Sequence, residues 1–120
     1  MAERSDRLDG IGDVYHLSGL VWRNGYGAAL RPDYERGMEI FSACAGAALY
    51  RRAALSAIGG FDKGYFCYVE DVDLGFKLRL AGNRAMYVQD AVVRHIGSVS
   101  TGGVHSDFAV YYGHRNSELP

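Results

Sequence analysis

The stretch 61–82, FDKGYFCYVEDVDLGFKLRLAG, constrains this chain more than any other. Tyr65, Phe66 and Tyr68 lead into an acidic cluster, Glu70, Asp71 and Asp73, after which the pattern turns helical. Val72, Phe76 and Leu80 recur every fourth residue, and Leu74, Leu78 and Ala81 widen that apolar face. The acids fall in the first turn, where unpaired backbone N–H groups and the helix dipole favour negative charge. Lys77 and Arg79 fall toward the other end, and Gly82 is placed to close the helix. Asp73 and Lys77 stand four apart in acid-before-base order, worth about 0.3–0.5 kcal/mol if exposed. The acids admit two readings: ordinary capping and dipole chemistry, or a carboxylate partly desolvated by the aromatic residues and held ionised as a general base. Residue chemistry alone leaves both open.

The rest of the chain narrows the class. Its 120 residues suffice for one small domain with a modest core. Hydrophobic residues make up 48% and the net charge is −1, which describes a globular chain. No basic stripe points to nucleic acid, so no nucleic-acid partner is expected. No apolar run approaches the roughly 20 residues of a membrane span, and the polar N-terminus does not read as a signal peptide. The expected location is therefore the cytoplasm, with any membrane association made through an acceptor. Cys44 and Cys67 lie in apolar settings without metal spacing and read as buried free thiols.

Taken in order, residues 1–10 are polar and aperiodic and predict a flexible arm, with the domain running from 11 to 120. Residues 11–32 mix apolar patches with glycines and predict irregular loop with one or two short strands; Trp22 and Tyr26 read as local packing anchors. Residues 38–49 predict a buried strand, or a strand and a tight turn. Within them, Ala45 and Gly46 belong to a segment with so little side-chain bulk that another backbone or a ligand can approach closely. Residues 51–58 predict a short helix stopped by Gly59 and Gly60. Residues 84–88 and 91–96 predict two strands about a turn at Gln89 and Asp90, and 98–103 a loop. His95, near the end of the second strand, reads on its own as a polar residue close to the surface. Residues 107–117 predict a helix carrying Tyr111, Tyr112, His114, Arg115 and Asn116, with a solvated polar face.

The order of several of these pieces resembles the C-terminal half of the catalytic domain in family 2 glycosyltransferases, especially rhamnosyltransferase-like members. The matching pieces are the small-residue segment ending Tyr50-Arg51-Arg52, then Gly59-Gly60-Phe61-Asp62, the aromatic stretch 65–68, and Glu70-Asp71-Val72-Asp73-Leu74 with its basic helix. The resemblance implies an α/β architecture: part of a GT-A (nucleotide-diphospho-sugar transferase) domain, with helices packed on a small sheet.

It also implies chemistry. Such enzymes invert the anomeric carbon in one displacement, with a base on the acceptor hydroxyl and a divalent metal, Mn or Mg, on the departing diphosphate. Carried onto this chain, Asp71 is the base and Glu70 orients it or contacts the acceptor. Asp73 caps the helix, His95 is one of several metal ligands, and Ala45, Gly46 and Arg115 lie on the acceptor side. The implied partners are a nucleotide-sugar donor and a glycan or glycolipid acceptor, in cell-surface polysaccharide synthesis. The family's donor-binding half, with its Asp-x-Asp motif, has no counterpart in this sequence. The chain is therefore expected to be inactive unless joined to such a half. The alternative is a non-catalytic module that binds glycans or oligomerises; strand edges left open by the absent half predict a homo-oligomer.

Overall fold

A computed structural model describes residues 7–29, 37–94, 102–103 and 105–118. Strands β1 (Asp13–Tyr15) and β2 (Val21–Arg23) form an antiparallel hairpin that pairs Asp13 with Arg23, Val14 with Trp22 and Tyr15 with Val21. The connection turns tightly at Gly19, whose φ of +85° suits glycine, and the His16 N–H donates to the Leu20 carbonyl. Of the arm expected over 1–10, residues 7–10 are tied back onto the segment after the hairpin. The Leu8 N–H donates to the Ala28 carbonyl, and the Gly27 N–H donates back to Leu8.

A second ribbon joins β3 (Glu39–Ile40) to β4 (Ala85–Met86), also antiparallel. The single small sheet implied by the resemblance is thus two two-stranded ribbons, linked by an isolated bridge between Asp13 and Ser42. Of the two readings of 38–49, the strand followed by a tight turn is the one that forms, with a short strand. The 38–49 run gives only β3, the bridge at Ser42 and a 3-10 turn, Ala45–Ala47, because the Ala45 N–H is taken by a carboxylate instead of a neighbouring strand. Beyond the turn at Gln89 and Asp90, residues 91–94 have no strand partner and lie exposed.

Helix α1 (Arg52–Ile58) and helix α2 (Glu70–Leu80) stop in the same way. In α1, Gly59 takes φ +83°, and the N–H groups of Gly59 and Gly60 return to the carbonyls of Ser56 and Leu55. In α2, Gly82 takes φ +81°, and Gly82 and Asn83 return to Arg79 and Leu78. Glycine adopts this left-handed conformation without a Cβ clash, so both ends satisfy otherwise orphan carbonyls. Helix α3 (Asp107–Ser117) begins where the Ser106 hydroxyl accepts the Ala109 N–H at 3.2 Å.

Among the described residues the buried apolar ones are few: Ile11, Tyr65, Val72 and Leu74. Helix α2 does not bury the Val72–Phe76–Leu80 stripe that its periodicity suggests, since Leu80 is 76% exposed and Phe76 43%. It rolls toward Gly75 instead. A Cβ added at Gly75 would lie 2.2 Å from the Ser42 Cβ, so the closest approach of strand segment and helix follows the smallest residue. Phe76 is left on the flank, where it meets Tyr15 and Phe41 with ring centroids 5.8 and 6.4 Å away. Ion pairs of Glu39 with Arg79 and Arg84, at 3.2 and 2.7 Å, staple β3 to α2 and β4. Being exposed, both pairs are screened by solvent and add little to stability. No helix among the described residues is long and apolar enough to cross a membrane.

Candidate active site

The entry to α2 is built from an irregular loop. After α1, the Asp62 carboxylate accepts the Gly64 N–H at 2.8 Å, and this bond holds the exposed Asp62 carboxyl below its ordinary range. Three non-glycine residues then adopt left-handed backbone: Phe66, Tyr68 and Val69, at φ +59°, +66° and +67°. Such residues are uncommon, and each costs on the order of 1–2 kcal/mol. Val69 precedes the helix directly, with no side-chain cap.

The first turn of α2 presents Glu70, Asp71 and Asp73. Asp73 pairs with Lys77 at 2.7 Å, the acid-before-base pair its spacing predicts, and no side-chain cap hydrogen bond forms at the start of the helix. Asp71 accepts the Ala45 N–H at 3.1 Å on one oxygen and the Val72 N–H at 2.9 Å on the other. The base and acceptor-side residues assigned from the sequence are therefore in direct contact at Ala45. Gly46, beside it, is exposed, and a Cβ there would meet nothing within 4 Å. Glu70 is half-buried; burial raises its carboxyl above the ordinary range, and the Asp71 charge adds to the rise. Among the described residues its Oε2 has no hydrogen-bond partner.

In front of these acids lies an open hollow of about 450 Å³ lined by Ala45, Phe61, Asp62, Lys63, Phe66 and Glu70. That volume falls within the range of small-ligand sites, with two aromatic residues, Lys63 and the acids Asp62 and Glu70 in its lining. A smaller hollow of about 260 Å³ lies on the strand side, between β1 and β3, and contains neither Glu70 nor Asp71.

Behind the acids sits a residue the sequence reading passed over. Asp13 is 7% exposed and accepts the Ser42 hydroxyl at 3.1 Å. Burial first, and the Asp71 charge second, push its carboxyl up to about 6, against relief from Ser42 and Arg23. Tyr50 feels the same surroundings: burial and then Asp71 push its phenol up to about 12, and its hydroxyl donates to the Ala43 carbonyl at 3.2 Å. Cys44 and Cys67 are free, half-buried thiols, both raised by burial and so kept in the thiol form. An acid inside the apolar run Ile11-Gly12-Asp13-Val14 was the only available signal for Asp13.

Two other assigned residues lie away from the hollow. Arg115 donates to the Gly64 carbonyl at 3.0 Å and to the Asn116 side chain at 3.3 Å, and stacks over Tyr112. It holds the loop and does not line the cavity. His95, the metal ligand implied by the resemblance, lies outside the described residues. Among those that are described, no group of three His, Cys, Asp or Glu side chains converges as a cation site, so they do not fit a metal by themselves.

Comparison with known proteins places the sequence in a family. The N-acetylglucosaminyl-diphospho-decaprenol L-rhamnosyltransferase of Mycobacterium tuberculosis is 52% identical over 54 residues, which are 45% of this chain and 18% of that protein. The rhamnosyltransferase WbbL of Escherichia coli K12 is 50% identical over 46 residues, which are 38% of this chain and 17% of that protein. The chain thus matches less than a fifth of the length of these curated relatives. No solved structure matches it. The family described as "Glycosyltransferase like family 2" matches residues 30–113, well over half of the chain and the whole of α1, α2 and the hollow between them. The chain belongs to glycosyltransferase-like family 2.

Proposed function

We propose that this chain forms the acceptor side, and supplies the base, of an inverting sugar transfer from a nucleotide-diphospho-sugar to a glycan or glycolipid. It would be part of a GT-A domain whose donor site lies outside these 120 residues. The names of the relatives favour L-rhamnose as the sugar and a lipid-linked diphospho-sugar as the acceptor. The single observation that carries the reading is the hollow bounded by Phe61 and Phe66, with Glu70 on its wall and Asp71 bound to Ala45 at its edge.

In this reading the acceptor sugar lies against the faces of Phe61 and Phe66, and Lys63 on the rim meets negative charge on the acceptor. The hydroxyl proton passes to the Asp71 carboxylate as the oxygen attacks the anomeric carbon. The C–O bond to the acceptor forms while the bond to the diphosphate breaks, and its electron pair leaves with the nucleoside diphosphate. Ala45 and Val72 N–H groups fix the carboxylate, so that no reorientation is needed at the moment of transfer. A second assignment, with Glu70 as the base, is favoured by its place on the cavity wall and by the burial that raises its carboxyl above the ordinary range.

Steady-state kinetics of the protein that carries this chain test the acceptor assignment. Phe66 is 72% exposed, so Phe66→Ala removes little packing. It should raise the acceptor KM about tenfold, corresponding to the roughly 1–2 kcal/mol of one lost aromatic contact, with the donor KM unchanged. A variant that raises the donor KM and spares the acceptor KM would place the hollow on the wrong substrate.

A further inference from the structure

The loop that delivers Glu70 and Asp71 is held from a distant part of the chain. Asn116, near the end of α3, is 1% exposed, and its Nδ2 lies 2.7, 2.6 and 2.8 Å from the carbonyl oxygens of Tyr65, Cys67 and Tyr68. One amide nitrogen with two hydrogens thus serves three acceptors, and the side-chain oxygen accepts from Arg115 on its other side. The orientation is forced, because the flipped amide would press its oxygen against three carbonyls. Arg115 adds a fourth strap by donating to Gly64. The segment so gripped contains all three left-handed non-glycine residues and a tight turn in which the Cys67 N–H donates to the Tyr65 carbonyl at 2.7 Å. A three-residue turn about a positive-φ phenylalanine is a rare, strained form. Strain of this kind persists only where surrounding structure over-determines it, and here it stands immediately before the two acids.

We propose that Asn116, assisted by Arg115, is the positioning residue of the site, clamping the strained loop 64–69 so that α2 starts with Glu70 at the hollow and Asp71 against Ala45 at its edge. The clamp rests on the functional reading above for its purpose but not for its existence. Buried as it is, Asn116 touches neither the hollow nor a reacting atom, and it acts through the loop backbone. The same grip stands Phe66 out on the wall of the hollow, against Phe108 and Tyr112 of α3, with ring centroids 6.4 and 5.3 Å away.

The two cysteines make the clamp measurable. Cys67 lies inside the gripped loop, whereas Cys44 lies beside Ala45 on the other side of the acids. In Asn116→Ala, alkylation of Cys67 by iodoacetamide under native conditions should accelerate about 10- to 100-fold, the opening expected from losing one to two net hydrogen bonds. Cys44 should change less than about twofold, since local release leaves the rest folded. Transfer by the protein that carries this chain should lose kcat by a similar factor while the donor KM stays constant. Arg115→Gln, at an exposed residue, releases the Gly64 strap and the bond to the Asn116 oxygen but leaves the three Asn116 Nδ2 contacts, and should give a smaller acceleration of the same sign, which keeps the test open should Asn116→Ala not fold. Equal acceleration of both thiols, or none at Cys67, would overturn the clamp. A freed Cys67 with unchanged kcat would overturn the positioning role. Absence of transfer by the wild-type protein would instead count against the functional reading, and the ratio of the thiol rates would still decide whether the clamp exists.

Discussion

Asp71→Asn is expected to reduce sugar transfer by about 10²–10⁴-fold, the usual contribution of a positioned general base. Asparagine keeps the size of the side chain and an oxygen for the Ala45 N–H, so the 3-10 turn at Ala45–Ala47 should stay docked on α2. What it removes is the negative charge, the capacity to take a proton and the acceptor for the Val72 N–H, which the amide nitrogen cannot replace. The loss should therefore appear in kcat, with both KM values little changed. The melting temperature should hold or rise, because the Asp71 charge is one of the forces that make Asp13 costly to ionise. Transfer within tenfold of wild type would exclude Asp71 as the base. If Glu70→Gln carried the large loss in kcat instead, the proton would go to the Glu70 carboxylate at the hollow.

The second large effect concerns stability. In the fold, Asp13 keeps its proton up to about 6, whereas its ordinary value is 3.8. For an acid raised in this way, the unfolded chain ionises first, so the fold loses stability as pH rises from about 4 to about 6. Above that window the full penalty is present, on the order of 3 kcal/mol at 1.36 kcal/mol per pKa unit. Glu70, raised by burial, acts in the same direction. Glu39 and Asp62, held low chiefly by the Arg84 and Gly64 donors, act in the opposite sense, and their contribution is lost as pH falls below the ordinary carboxylate range. Asp13→Asn keeps an acceptor for the Ser42 hydroxyl and cannot ionise. Thermal melts from pH 4 to 8 should show wild type falling with pH and the variant nearly flat. At pH 8 the variant should melt higher by on the order of 10 °C, as a gain of that size implies for a small domain. An unchanged slope would mean that Asp13 is not the group that titrates.

What the sequence revealed is what is local. Two helices with glycine stops, an acidic first turn and a third helix over 107–117 follow from patterns within a dozen residues, and all three helices form where they were expected. The face of α2 was misread because its orientation is set by Ser42 arriving opposite Gly75, a contact between residues far apart in the chain. The strand expected over 91–96 has apolar residues but no partner within 91–94, and a strand needs one. The Asp73–Lys77 pair, four residues apart, was legible from spacing, whereas the capping role given to Asp73 has no side-chain hydrogen bond behind it. Within the site, the acids and the small residues at Ala45 were legible from resemblance and spacing. Asp13 and Asn116 were not, because each acts through partners separated from it by 29 residues or more.

The account stands most directly on whether this chain holds the acceptor. Calorimetric titration with N-acetylglucosaminyl diphosphate carrying a short, water-soluble lipid should give binding by the chain alone. That binding should be weakened in Phe66→Ala and Glu70→Gln and indifferent to added nucleotide sugar and manganese. Binding of nucleotide sugar with manganese, and none of the acceptor, would contradict the account and move the donor site onto this chain.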